Sequence, residues 1–397
     1  MRLLHLPKWY PHRYDDQDGD FVARQVAAIA AQPGVQSAVV FAAVARGPLA
    51  TLLEADHDLS GAVPTWRYYY RARPTGWAPL DKLLKLLLWL LATRRGLQAV
   101  RQHWGGTQPD VVHAHVLLRT GLLAAWLRRR RGIPFVVTEH WTIYLPERRA
   151  ALPGWRRWLT GQVVRRAAAL HTVSGTLAEA LAGLGARAPR TAVIANVVDT
   201  ELFHPAPTPE VRPLTLLHAA AFHDAVKNLS GVLRVVAGLR AAWPGLRLRV
   251  AGYGPDETRL RQYTAELGLL ADGTVQWLGK LPHEAIAAEM RQATALVSFS
   301  RAETFGVVLL EARASGRPVV ATQVGAVPEL FEPAGAFGLL VPPDDEAALA
   351  SALAAVLAAP AAYDPTRLQV DAAARCAPAA VGAAFGRLYA QVLGQPA

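Results

Sequence analysis

The chain has 397 residues, 52% of them hydrophobic, which suits two domains of about 150 to 200 residues, each with its own core. Its one cysteine, Cys376, excludes a disulfide framework and a thiolate metal cage and reads as a small packing residue. The formal charge of +11 sits in the first half: residues 1–205 hold 26 Lys and Arg against 14 Asp and Glu, a net +12, whereas residues 206–397 hold 16 against 17, a net −1.

Short apolar runs alternate with helix-length segments along both halves. Met1-Arg2-Leu3-Leu4 passes directly to Lys8 and Asp15, too short an apolar stretch for a secretory signal, so a cytoplasmic protein is expected. Strands are predicted at 3–6, 38–44, 111–114, 135–138, 170–173 and 192–194. Between the second and third of these, residues 83–92 form the longest apolar stretch, but it contains Lys85 and is half a membrane span. Trp126 beside Arg128 to Arg131, and Trp155-Arg156-Arg157-Trp158, join tryptophan to arginine. Such clusters suit a solvated helix face, or a membrane interface or polyanionic partner.

A proline-rich stretch, Phe203-His204-Pro205-Ala206-Pro207-Thr208-Pro209, disfavours helix and central strand and marks the boundary between a domain of residues 1–205 and one of 206–375. Strands follow at 214–219, 246–251, 275–278, 295–299, 319–321 and 339–341, then an alanine-rich helix over 347–362 ended near Pro360. Residues 376–397 are expected to form a helix packing back on the first domain. Apolar runs this short indicate parallel sheets buried on both faces, hence an α/β protein of two Rossmann-like domains facing a central cleft. A ligand belongs at the carboxyl ends of the strands.

The segment Ser300-Arg301-Ala302-Glu303-Thr304-Phe305-Gly306-Val307-Val308-Leu309-Leu310-Glu311-Ala312 carries the chemistry. Phe305 and Gly306 fall at the first turn of a helix, where free amides hold phosphate. Read as helix, the eight residues from Glu303 to Glu311 would rise about 12 Å, so the two carboxylates could touch separate parts of one ligand. Gly252-Tyr253-Gly254 follows a strand and could open a phosphate-binding turn or simply a tight one. Glu257 at the third position of the dinucleotide fingerprint argues against a nicotinamide cofactor. Gly19, in an acidic loop before a helix, permits close backbone approach to a pyrophosphate. His113-x-His115 has metal-compatible chemistry without a third ligand at a recognisable spacing and reads as a strand terminus. Asp56-x-Asp58 reads as a solvated turn in a polar loop.

The segment around Glu303 and Glu311 resembles the signature of retaining family-4 glycosyltransferases of the GT-B fold. Trp9-Tyr10-Pro11 with Gly19-Asp20-Phe21-Val22, Thr138-Glu139-His140-Trp141, Val173-Ser174, Asn196-Val197-Val198-Asp199, Lys227-Asn228, Gly252-Tyr253-Gly254 and Gly325-Ala326-Val327-Pro328-Glu329 are similar to further motifs of that family, in its order. The resemblance implies transfer of a hexose-type sugar from a nucleotide sugar, a UDP- or GDP-sugar, to an acceptor hydroxyl, in cell-surface polysaccharide or glycolipid synthesis. It implies that His140 lines the cleft under the transferred sugar and that Lys227 neutralises the departing diphosphate. Glu303 would hold the sugar hydroxyls and Glu311 the ribose. Amides near Phe305, Gly306 and Val307 would take the phosphates, with Gly19, Gly252 and Gly254 beside the donor and backbone around Lys280 and Leu281 on the base. At the place of a second cation in the family this chain has Phe222, with His223 as its neighbour.

Covalent retention needs two carboxylates about 5 Å apart, which two turns of helix do not give. A front-face route, in which the leaving diphosphate helps deprotonate the acceptor, is therefore expected, with no divalent metal and no cofactor. A nucleotide-sugar epimerase of the same architecture is the alternative enzyme. Basic charge without a recognition helix or RNA-binding signature argues against nucleic acid. The charge asymmetry, Trp126, Trp155 to Trp158 and residues 83–91 suggest docking on an anionic membrane beside a lipid-linked or membrane-proximal acceptor. The competing reading packs residues 83–91 inside the domain as a helix.

Overall fold

The apolar runs do become sheet strands in the computed structural model, which describes residues 1–206 and 214–395. In the first half β1 (Arg2–Pro7), β2 (Gln36–Val44), β3 (Leu53–Asp58), β4 (Thr65–Tyr70), β5 (Val111–His115), β6 (Phe135–Glu139), β7 (Ala169–Thr172) and β8 (Thr191–Val193) form one sheet in the order β3-β4-β2-β1-β5-β6-β7-β8. In the second, β9 (Thr215–Ala219), β10 (Arg247–Ala251), β11 (Val275–Gly279), β12 (Ala295–Ser298), β13 (Val319–Thr322) and β14 (Gly338–Val341) form another in the order β11-β10-β9-β12-β13-β14. The central strands are buried on both faces because helices cover each side: β5 and β6 bury every residue. Strand order reverses between β1 and β5 and between β9 and β12, and those switch points place a crevice at the carboxyl edge of each sheet.

Two strands escaped the sequence reading. β3 and β4 pair antiparallel at the edge, so Asp56 and Asp58 lie on a strand and not in the expected loop turn. β3 is Leu-Glu-Ala-Asp-His-Asp, with no residue buried, and Asp56 sits opposite Arg67. A polar edge strand carries no apolar run to recognise, and its charges discourage pairing with another chain.

Residues 83–92 lie within a long helix, Ala78–His103, whose buried residues are Asp81, Trp89, Ala92, Thr93, Gly96 and Val100. Leu83, Leu86, Leu87, Leu90 and Leu91 stay exposed, so the helix forms but its leucines are not packed inside. No helix among the described residues is long and apolar enough to cross a membrane. The alanine-rich segment is the helix Glu346–Ala358, capped by Asp345 accepting from the Ala348 amide.

The chain's last helix, Pro378–Leu393, returns to the first sheet. Its Val381, Phe385, Leu388 and Tyr389 share one core cluster with Leu3, Ala28, Ile29, Val111 and Val136. Gly382 lets it cross the helix Asp20–Ala30 closely, since a Cβ there would meet the Ala28 carbonyl oxygen at 2.4 Å. Of the proline-rich boundary, Phe203 is fully buried, and residues 207–209 lie outside the described residues. The Val198 amide donates to the Cys376 carbonyl at 2.9 Å, so the two passages between the sheets run side by side.

Candidate active site

After β12 the chain forms a loop and then the helix Val307–Ala314, which Gly306 enters with φ of 84°. Glu303 lies in that loop, so the helical rise does not span the whole distance from Glu303 to Glu311 as the sequence reading supposed; only residues 307–311 are helical between them. The loop is held tightly from the other side. A Cβ at Gly325, whose φ is 52°, would fall 1.9 Å from the Glu303 carbonyl oxygen, so any other residue there would displace the carboxylate. Lys227 ends a single helical turn, Asp224–Lys227, that follows β9, and its Nζ donates to Glu303 Oε2 at 2.6 Å with both side chains mostly buried.

Arg301 welds the two loops. Its Nε donates to Asp344 at 2.7 Å, its Nη1 to the Asp224 carbonyl and its Nη2 to Asn228 Oδ1 at 2.9 Å. The sequence reading passed over it although it stands two residues before Glu303. Phe222, at the place of the missing cation, is buried with its ring edge-on to Trp277. Gly252 and Gly254 face the neighbouring loop: Cβ atoms there would meet the Ala220 oxygen at 1.9 Å and the Phe222 nitrogen at 2.7 Å. Their bareness serves the approach of two backbone segments. The helix beginning at Val307 starts just past the loop that holds the Lys227–Glu303 pair, and Phe305 is buried in the core.

Across the cleft, His140 follows β6. Its ring is buried, stands 4.8 Å from the Phe21 ring, and both nitrogens lack a hydrogen-bond partner. Burial pushes its pKa down to about 3, so the imidazole is neutral. Glu139 beneath it is buried and holds the turn: Oε1 accepts from the amides of His140 and Trp141, each at 2.9 Å, and Oε2 from that of Leu117 at 3.0 Å. Burial nevertheless raises its pKa. Lys8 lies over the Trp141 ring at 3.7 Å and the Trp9 ring at 4.7 Å, and burial lowers it to about 8. Gly19 precedes the helix Asp20–Ala30 with φ of 68°, and a Cβ there would strike the Trp9 backbone at 2.3 Å.

Several side chains bridge the two sheets. Lys280 Nζ donates to Asp16 at 2.6 Å and Asp15 at 3.3 Å, and Gln17 Nε2 to the Leu281 carbonyl at 2.9 Å. His283 pairs with Asp20 at 2.8 Å, a hydrogen bond that raises the histidine pKa. Arg24 Nη1 donates to Glu311 Oε1 at 2.9 Å, and Ser174 Oγ to the Thr304 carbonyl at 3.0 Å. Glu329 accepts from the amides of Gly175 and Thr176 at 2.9 and 2.7 Å. Glu311, Lys280 and Leu281 thus all contact the first half. Arg24 carries no motif of its own, and only the tertiary fold reveals it.

His113 and His115 do acquire a third neighbour. The β1–β5 register sets His5 opposite His113, and ligand-capable atoms of the three lie within 4.8 Å of one another. Most of those atoms already have partners: His113 bonds Thr138 Oγ1 at 2.6 Å and Tyr389 Oη at 2.7 Å, and His5 bonds Ser37 and His115. They support the packing of the last helix.

Two sheets, parallel but for the edge strand β3, with helices on both faces and a switch-point crevice at the carboxyl edge of each, define a two-domain α/β architecture of the GT-B kind. The profile of the glycosyl transferase 4-like domain matches residues 19–197, and that of the glycosyl transferases group 1 matches residues 213–359. The chain belongs to the group 1, or family 4, glycosyltransferases. D-inositol 3-phosphate glycosyltransferase 1 of Catenulispora acidiphila is 35% identical over 283 residues, covering 65% of each chain, so the match spans just under two thirds of that relative's length. Sucrose-phosphate synthase of Thermosynechococcus elongatus superposes with a TM-score of 0.77 at 22% identity, over 99% of this chain and 100% of that one. Anabaena HepE in complex with UDP gives 0.73 at 19%, over 98% and 100%.

Proposed function

We propose that the protein is a retaining glycosyltransferase that moves a hexose-type sugar from a UDP- or GDP-sugar to an acceptor hydroxyl, in the synthesis of a cell-surface polysaccharide or glycolipid. One observation carries this reading: a buried, neutral and unpartnered His140 lies just past β6 in the first half, and a Lys227–Glu303 pair lies beside a helix N-terminus in the second. The similarity of fold to a protein bound to UDP agrees with a nucleotide donor.

In this reading residues 1–205 bind the acceptor and residues 206–375 the donor. Lys227 and the amides of Phe305, Gly306 and Val307 take the diphosphate, which needs no metal for its neutralisation. Glu303, oriented by Lys227, receives the sugar hydroxyls. Glu311 exchanges Arg24 for the ribose, and backbone at Lys280 and Leu281 holds the base. A front-face departure, with the diphosphate drawing the acceptor proton, fits a site whose two glutamates are each engaged by a different cation. His140, neutral across physiological pH, offers a hydrogen bond to the sugar.

The enzyme acts as a peripheral protein on the inner face of the plasma membrane. Support comes from the exposed Trp126, Trp155 and Trp158 beside arginines and from the exposed leucines of Ala78–His103. Each basic residue near an anionic surface contributes about 1 kcal/mol. The protein should pellet with anionic but not zwitterionic vesicles at low salt, and charge reversal of Arg128 to Arg131 should release it. A supernatant fraction with both lipids would defeat the docking.

The transferase itself is tested by product analysis over a panel of nucleotide sugars, with and without acceptor and with chelator. A new glycosidic bond with retained anomeric configuration is expected at an unchanged rate in chelator. Isomerised donor alone would make the protein an epimerase, and activity lost in chelator and restored by Mg²⁺ would sink the metal-free scheme.

A further inference from the structure

The helices Ala78–His103 and Thr120–Arg131 do not close against each other on the outer side of the first sheet. Between them lies an open cavity of about 780 Å³, within the range of about 300–1,000 Å³ typical of ligand clefts. Leu86, Leu90, Leu97, Leu122, Leu123 and Trp126 make its walls, and Leu86, Leu90, Leu122 and Trp126 are each more than 40% exposed. An apolar trough of this size left open to water marks a binding surface rather than ordinary surface scatter.

Its rim is cationic throughout. Arg94, Arg101, Arg119 and Arg131 line it, and none of the four has a carboxylate partner among the described residues. Arg101 Nε instead caps the Gly106 carbonyl. Arg119 stands at the junction with the cleft. Its backbone is held at φ of 74°, an uncommon conformation for a residue with a Cβ. Its guanidinium reaches Tyr70 Oη at 3.3 Å and lies 5.5 Å from the Trp89 ring. An apolar trough therefore reaches the Arg119 guanidinium, four residues past the carboxyl end of β5.

We propose that this trough holds the hydrocarbon chain of an anionic lipid acceptor whose phosphate-type headgroup lies at Arg119. The inference rests on the transferase reading above and names the acceptor class for it. A single chain lies along the leucines while the headgroup presents its hydroxyl to the cleft. Charge complementarity selects an anionic lipid over a second copy of this chain, whose first half carries the same net +12 and would repel.

Calorimetry with the full-length protein tests it, using dodecyl phosphate against inorganic phosphate and dodecanol. Dodecyl phosphate should bind at least about tenfold more tightly than either, because trough and rim act together. Leu90→Glu, on the exposed wall, should abolish that binding without changing the melting temperature, Arg119→Gln should weaken it at least about tenfold, and Arg94→Glu with Arg101→Glu at least about threefold. Equal binding of inorganic phosphate, or dodecyl phosphate binding that survives Leu90→Glu, would overturn the proposal. So would self-association lost in Leu90→Glu without any dodecyl phosphate binding, which would give the trough to a second copy. Donor hydrolysis in the absence of lipid reads the sugar site alone. Hydrolysis without dodecyl phosphate binding removes the lipid trough and keeps the transferase, and binding without hydrolysis of any donor removes the transferase reading on which the acceptor role rests.

Discussion

Around the second sheet, arginines are mated: Arg234 with Glu346, Arg240 with Asp272, Arg249 with Glu289, Arg259 with Asp224 and Arg301 with Asp344. On the outer helices of the first sheet, Arg94, Arg101, Arg119 and Arg129 to Arg131 have no carboxylate partner among the described residues. Exposed pairs stabilise by only about 0–1 kcal/mol each, so this difference has little to do with holding either domain together. It decides instead which surface projects a field into solvent. Histidine divides the same way. The first half buries His5, His12, His113, His115, His140 and His171, and the second buries His218. The second half is therefore close to neutral, at a net −1, and the first, at +12, is poised to meet anions outside and resists protons inside.

The sharpest way to break this contrast is to unpair the second half where it matters. Glu303→Gln leaves Lys227 facing a neutral amide, and transfer should fall at least about a hundredfold, or ~2.7 kcal/mol in the barrier, with the fold unchanged. Turnover above about a tenth of the parent, measured as nucleotide release, would remove the role assigned to Glu303.

Acid should separate the halves next. Burial lowers His5 and His140 to about 3 and His171 to about 4, so between those values and the ordinary 6.5 the unfolded chain binds more protons than the folded one. Stability is then full above about pH 6.5 and falls as pH drops toward 3, by on the order of 2 kcal/mol at pH 5 for each of His5 and His140. The second sheet carries one such group, His218, lowered to about 4. Hydrogen exchange at pH 7 and 5 should show β1, β5, β6 and β7 losing protection before β9, β10 and β12, and the reverse order would contradict the buried-histidine account. His140→Ala should cut transfer about tenfold or more while making the first half less acid-sensitive.

The smallest effects concern the pair that joins the halves. With Glu311 at the ribose as proposed, Glu311→Gln should weaken donor binding about tenfold with a lesser change in kcat. Arg24→Ala should do the opposite, tightening UDP two- to fivefold, since the nucleotide no longer displaces Arg24 from a bond 2.9 Å long. Unchanged or weaker UDP binding in Arg24→Ala, read by calorimetry, would mean that the two never compete.

Much of the fold was legible because buried parallel strands write themselves as apolar runs. β3 was not, since a polar edge strand has no such run. The helix start was misplaced because Glu303 and Thr304 carry no local signal separating loop from helix, and the constraint there is the distant Gly325. Lys227 and Glu303 were named from motifs, yet their direct bond and the Arg301 brace arise from the packing of β9 and β12 loops 76 residues apart. Arg24, the assembly of His5 with His113 and His115, and the trough between two helices depend on long-range pairing and leave no short pattern in the chain.

The last helix has a consequence for how the molecule comes into being. Phe385 and Tyr389 belong to the first sheet's core, and Tyr389 bonds His113. Losing a buried phenylalanine alone costs about 3–5 kcal/mol. During synthesis from the amino terminus the first domain is made before the second but lacks this piece until residues 378–393 emerge. The domain translated first is finished last, and a ribosome stalled just before Pro378 would carry a second half already complete beside a first half still open along its histidines.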